Sequence, residues 1–227
     1  MFDKLRKAFS RDGKAPAAAT PAAEAATMGP MSEWAATQGF AFTASGAAFQ
    51  MQGDIGGRPW KMEVGRPSRK YIQGEELRAR AELGVDPDVA VVLMNRPLKN
   101  VLEKQAYSHY TDSLRTSVDS SLPEELRWLA MYQEVGWESA PRVFWDRYSI
   151  LADTREHALA WFDPALVRQL LEWPAPAPEP TVPFMMMLLR GKAYLRMQQG
   201  AAQVPVLQHA SQVFHGACES ALGAFKA

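Results

Sequence analysis

The sequence predicts an α+β fold: an antiparallel sheet built from hairpins, with helices packed mainly on one face, preceded by a disordered N-terminal arm. Three observations lead there. Phe49, Met51 and Ile55, then Trp60, Met62 and Val64, alternate with polar or small residues on either side of Gly56-Gly57, a hairpin signature. The apolar run Phe184 to Leu189 is turned by Arg190-Gly191-Lys192 and returns through Tyr194, Leu195 and Met197 as a second hairpin. Val206, Leu207, Ala210, Val213, Phe214, Ala217, Ala221 and Phe225 recur at i, i+3, i+4, i+7, a docked amphipathic helix, and hairpins mixed with helices without β-α-β alternation make an antiparallel α+β arrangement.

The elements follow in order. Residues 1–14 place Phe2, Leu5 and Phe9 on one helical face among Lys4, Arg6, Lys7, Arg11 and Lys14, a local charge of +3 after Asp3 and Asp12. This reads as a basic amphipathic foot for an anionic membrane surface or a partner groove, with a frayed tail as the plainer reading. No apolar core of signal-peptide type follows the charges. Residues 15–30, broken by Pro16, Pro21, Gly29 and Pro30, read as a flexible tether, and residues 31–227 as one α+β domain, divisible into halves 31–116 and 117–227. Ser32 can cap a short helix carrying Trp34 and ending at Gly39. After the first hairpin, Leu77 to Leu83 alternate as a third strand, with a helix as the competing reading given their good helix formers, and Val89 to Met94 form a buried strand. Asn95 and Pro97 open a helix to about Tyr110 with Leu98, Val101, Leu102 and Ala106 inward.

Ser121 and Glu124 suggest a capping box, with Pro123 in the first turn of a helix carrying Leu122, Leu126 and Leu129. Arg142 to Ala152 alternate as a strand. Asp153 and Glu156 repeat the capping box, and Asp163-Pro164 starts a helix with Leu166, Val167, Leu170 and Leu171 inward, ended by Pro174. The five prolines between residues 173 and 183 make a semi-rigid connector. Met185-Met186-Met187 reads as buried strand. Both halves offer a hairpin followed by a helix, but their residues align too poorly to establish a duplication.

Composition narrows the function. The 227 residues are 47% hydrophobic and 22% charged, with Lys+Arg and Asp+Glu at 25 each, so the formal net charge is zero. A whole-chain basic field for nucleic acid is absent, and no nucleic-acid motif is present, so no nucleic-acid partner is expected. No apolar run reaches the ~18 residues of a spanning helix. Alanine richness and arginine over lysine suggest a bacterial source. The phosphate loop, dinucleotide fingerprint, nucleophile elbow and HExxH are all missing. His209, His215 and Cys218 share a helix, but at ~100° per residue they do not converge on one ion, so neither metal nor other cofactor is expected.

Two asymmetries remain. Residues 56–80 carry a net +4, with Arg58, Lys61, Arg66, Arg69 and Lys70 as a candidate basic face, while residues 117–180 carry −6. The basic stretch suits phosphates, anionic lipid or an acidic partner, or is simply an aggregation-resistant strand surface. Five of seven tryptophans lie between Trp128 and Trp173, where Trp137, Trp145, Tyr148 and Trp161 are a candidate aromatic pocket and equally a core. Asp146, Arg147, Tyr148 and His157 are the best polar groups there. The expectation is a non-enzymatic cytoplasmic accessory or adaptor protein, tethered by its arm to a membrane surface or a protein partner. The competing expectation is a small-molecule-binding domain or enzyme using residues 128–173.

Overall fold

The computed structural model describes residues 21–46, 48–113, 122–200 and 203–225. In chain order the elements are α1 (Pro21–Thr37), β1 (Ala41–Ser45), β2 (Ala48–Ile55), β3 (Arg58–Gly65), β4 (Glu75–Ala81), β5 (Ala90–Asn95), α2 (Arg96–Ser113), α3 (Glu124–Met131), β6 (Gln133–Val135), α4 (Arg142–Arg147), β7 (Tyr148–Ala152), α5 (Arg155–Trp161), α6 (Pro164–Leu171), β8 (Phe184–Leu189), β9 (Lys192–Gln199) and α7 (Val204–Ala224). The strands form one sheet in the order β1-β2-β3-β4-β9-β8-β5-β7-β6, with every pair antiparallel. The fold class is α+β, as the sequence predicts.

Local chemistry explains the turns. Gly56 and Gly57 both have positive φ, 58° and 78°, which the tight β2–β3 turn requires and a side chain resists. Gly191, at φ 71°, closes β8–β9 where an added Cβ would stand 2.8 Å from the Val85 carbonyl oxygen. Asp163 caps α6, its Oδ1 accepting from Leu166 N at 2.7 Å, with Pro164 in the first helical position.

The sheet separates two apolar layers. On one face, α1, α4, α5, α6 and α7 bury Met31, Ala35, Phe144, Trp161, Leu170 and Phe214 against Met51, Met62, Leu77, Leu93 and Leu195. On the other, α2 and α3 lay Leu98, Leu102, Ala106, Leu126 and Trp128 on Val92, Met94, Leu151, Met185 and Met187. Helices therefore cover β5, β7 and β8 on both sides. On the second face, among the described residues, that apolar cluster has no buried member from β2, β3, β4 or β9; Tyr194 of β9 packs at its edge, and most of the other alternating residues there are polar.

Several expectations change. Helix α1 covers Pro21–Thr37, so the tether assigned to residues 15–30 is helical over its described part, 21–30, and Ser32 lies inside the helix as an exposed residue rather than capping it. At Pro30 the cost of the lost hydrogen bond is offset by Met31 and Ala35, both fully buried. Residues 142–147 are helix, not strand: Pro141 precedes them, and Phe144 meets Tyr148 one turn later, ring centres 5.4 Å apart. Only Tyr148 to Ala152 is strand. Thr154, not Asp153, caps α5 by accepting from His157 N at 3.2 Å. Helix α3 follows Pro123 without a side-chain cap, and Ser121 lies outside the described residues. Val101 is 44% exposed rather than inward.

His215 is drawn into the core, although it falls at the boundary of the helical stripe. Its ring sits 4.5 Å from Trp60 and 5.0 Å from Phe40, and its Nε2 is buried without a partner among the described residues. Burial pulls its pKa down to about 4. The unfolded chain, near 6.5, therefore binds the proton first. Stability from this group is complete above pH ~6.5 and is lost as pH falls toward 4, by about 2 kcal/mol after allowance for partial solvent contact. Urea unfolding at pH 7 and pH 4.5 should show the loss in the parent and a smaller one in His215→Leu. Equal losses would contradict the assignment.

Candidate functional site

The half of the second sheet face that carries no apolar cluster among the described residues concentrates charge. Strand alternation and register build it. Gln50, Glu63, Arg78 and Arg196 stand side by side across β2, β3, β4 and β9, and Gln52, Lys61, Arg80 and Tyr194 form the next row. Apart from Gln50, the two rows floor a shallow depression of about 630 Å³, flanked by Ser68, Arg69 and Glu82.

Buried carboxylates organise the cations. Glu76 has no solvent exposure; it accepts from Arg196 Nη1 at 2.9 Å and from Ser68 N at 2.5 Å. Arg196 also donates to Ser68 Oγ at 2.5 Å. Glu63 accepts from Arg78 Nη2 at 2.7 Å and pairs with Lys61 at 2.5 Å. The hydrogen bond from Lys61, helped by Arg78, holds its carboxyl below the usual range against the opposing effect of burial. Burial raises Glu82, but hydrogen bonds from Lys192 and Arg80 outweigh it, and its pKa is lowered. Arg69 bonds Glu125, itself buried in α3, and Tyr71 donates to the same oxygen at 3.3 Å. Lys61, Arg69, Arg78, Arg80, Lys192 and Arg196 outnumber Glu63, Glu76, Glu82 and Glu125, six cations to four carboxylates, a local excess of +2. Arg80 also lies 5.9 Å from the centre of the Tyr194 ring.

Of the predicted basic residues, Lys61 and Arg69 border the depression. Arg58, Arg66 and Lys70 are exposed but do not line it, Arg58 instead reaching toward Gly84. Sequence reasoning missed Tyr194 and Arg196. Their alternation within the second hairpin was visible; the pairing of that hairpin with β4 was not. The foot residues Phe2, Lys4, Leu5, Lys7 and Phe9 lie outside the described residues.

The aromatic cluster divides. Trp137 meets Trp145 at 4.9 Å, and Trp145 meets Phe144 at 4.9 Å. Trp161 is fully buried elsewhere, between α5 and α7, donating to the Ala217 carbonyl at 2.8 Å. Tyr148 alone of the four lines a second, smaller cavity, together with Asp146 and Arg147. His157 is not there; its Nδ1 lies 2.9 Å from Asp153 Oδ2. On α7, His209 Nε2 bonds the Gln169 carbonyl at 2.8 Å, and burial pushes the Cys218 thiol up. Among the described residues no group of three or more His, Cys, Asp or Glu could hold a metal ion, and no helix is long and apolar enough to cross a membrane. Searches of family models, curated proteins and solved structures find no match to this chain.

Proposed function

We propose that this chain is a non-enzymatic adaptor of the cytoplasm. Its basic foot holds it to an anionic membrane surface or a partner, and its open sheet face takes an acidic segment of a protein. One observation carries the reading: among the described residues, a sheet helix-covered on both sides over β5, β7 and β8 leaves β2, β3 and β4 without an apolar cover on one side, and the ion-pair network at that surface has six cations to four carboxylates. An acidic chain laid there gains charge-assisted bonds from Lys61 and Arg80, whose side chains are about half exposed, while the buried pairs beneath keep the floor rigid. Phe2, Leu5 and Phe9 with Lys4 and Lys7 support the foot, because apolar insertion and attraction to anionic headgroups reinforce one another.

The two parts are tested separately on the full chain. An oligoglutamate peptide should bind in low salt, weaken as salt rises, and weaken about tenfold in Lys61→Ser with Arg80→Ser. Sedimentation with anionic vesicles should be lost in Phe2→Ser with Phe9→Ser and kept in the sheet-face variant. If the peptide binds parent and sheet-face variant alike, the docking role is wrong. If the foot variant sediments like the parent, the anchoring role is wrong.

A further inference from the structure

The proline-rich connector between α6 and β8 roofs a cavity that the adaptor reading does not use. The Asn95 amide at the end of β5 pins this roof, donating to the Pro180 and Val182 carbonyls at 2.9 Å each and accepting from Phe184 N at 3.1 Å. The cavity beneath measures about 290 Å³, the size of a small ligand's site.

Three aromatic rings line it and touch one another. Tyr148 and Phe184 are 5.9 Å apart at 61°, and Trp173 and Phe184 are 5.7 Å apart at 84°. Their polar atoms are occupied: Trp173 Nε1 donates to Tyr148 Oη at 3.3 Å, and Tyr148 Oη donates to the Leu170 carbonyl at 2.9 Å. The rings therefore offer a guest carbon surface and π electrons, with no free donor. The rim carries exposed Asp146, Glu179 and Arg147. Arg147 donates to the Leu171 carbonyl at 3.2 Å. Among the described residues, neither Asp146 nor Glu179 has a side-chain partner. A cation answers both features, since ring faces attract positive charge and carboxylates beside a low-dielectric cavity do so more strongly.

We propose that this cavity binds a small organic cation, an alkylammonium group on a compact apolar body. Proline stiffness and the Asn95 clamp preform the roof, so little ordering is needed on binding.

The test uses choline and its uncharged carbon isostere, 3,3-dimethylbutan-1-ol, titrated into the full chain by calorimetry, with the Trp173 indole N–H followed by NMR. Choline should bind saturably and shift that resonance, and the isostere should bind at least tenfold more weakly. Asp146→Asn with Glu179→Gln, both at exposed positions, should weaken choline about tenfold. Glu138→Gln with Glu219→Gln removes the same charge away from the cavity and should leave choline affinity unchanged. Trp173→Leu should abolish binding; because Trp173 also packs on Phe184 and His209, the rim pair provides the test that does not disturb packing. No saturable choline binding, equal affinity for the two probes, or undiminished binding by the rim variant would each overturn the proposal.

Discussion

Phe214→Ala should lower the unfolding free energy by about 3–5 kcal/mol, a large share of the roughly 5–15 kcal/mol typical of a domain. Phe214 has no solvent exposure and sits where α7 meets the larger core, 6.4 Å from Trp60. Helix α7 is gripped by α1, α5, α6, β2 and β9 together, so the void left by the ring cannot collapse from one side. The next residue sets the scale: His215→Ala should cost only about 1 kcal/mol, since its ring is half-buried and leaves Nε2 unpaired. Urea denaturation of both variants at pH 7 decides it. Equal costs would mean that the helix is docked in a different phase.

Glu76→Ala should be nearly as damaging for an unrelated reason, at about 3 kcal/mol. The change strands Arg196 and the Ser68 amide and removes the negative charge 3.9 Å from Arg78 Nη1. Removing one member of a buried pair leaves the other charge without compensation. Arg196 retains some solvent contact, which places the cost at the low end for such losses. Glu76→Leu with Arg196→Met should recover most of it, because the pair itself contributes little beyond an apolar replacement. A double variant as unstable as Glu76→Ala would show that the carboxylate acts through Ser68 and Arg78 instead.

What the sequence revealed depended on how far apart the interacting residues lie. Both hairpins, the buried strand at Val91 and the stripe of α7 are legible because period and turn chemistry sit within ten or twenty residues. Strand β1 escaped because it is mostly exposed and carries no clear alternation, and β6 because three residues carry none. Residues 142–147 mislead for a sharper reason. Val143, Trp145 and Arg147 alternate with Phe144, Asp146 and Tyr148 as a strand would, yet contacts one helical turn apart decide the local structure. The charged depression was half visible, since Lys61 and Arg69 lie in the basic stretch while Tyr194 and Arg196 arrive from more than a hundred residues away. The smaller cavity shows the same limit: Asp146, Arg147 and Tyr148 were legible as polar candidates, and the wall and roof that complete them come from another strand and a connector.

The pairing of β4 with β9 has a temporal consequence. Glu76 and Arg196 are 120 residues apart, and β5 lies between β7 and β8, so neither half of the chain can complete its part of the sheet alone. At roughly 5–20 residues per second of synthesis, β4 would wait about 6–24 s on the ribosome before its partner strand is made. During that interval β4 is an open edge, exposed to other nascent chains. Glu76, Arg78 and Arg80 on one side of it are the kind of residues that make such an edge a poor template for aggregation. The charges that line the depression in the finished molecule would thus first serve as protection for an unfinished one.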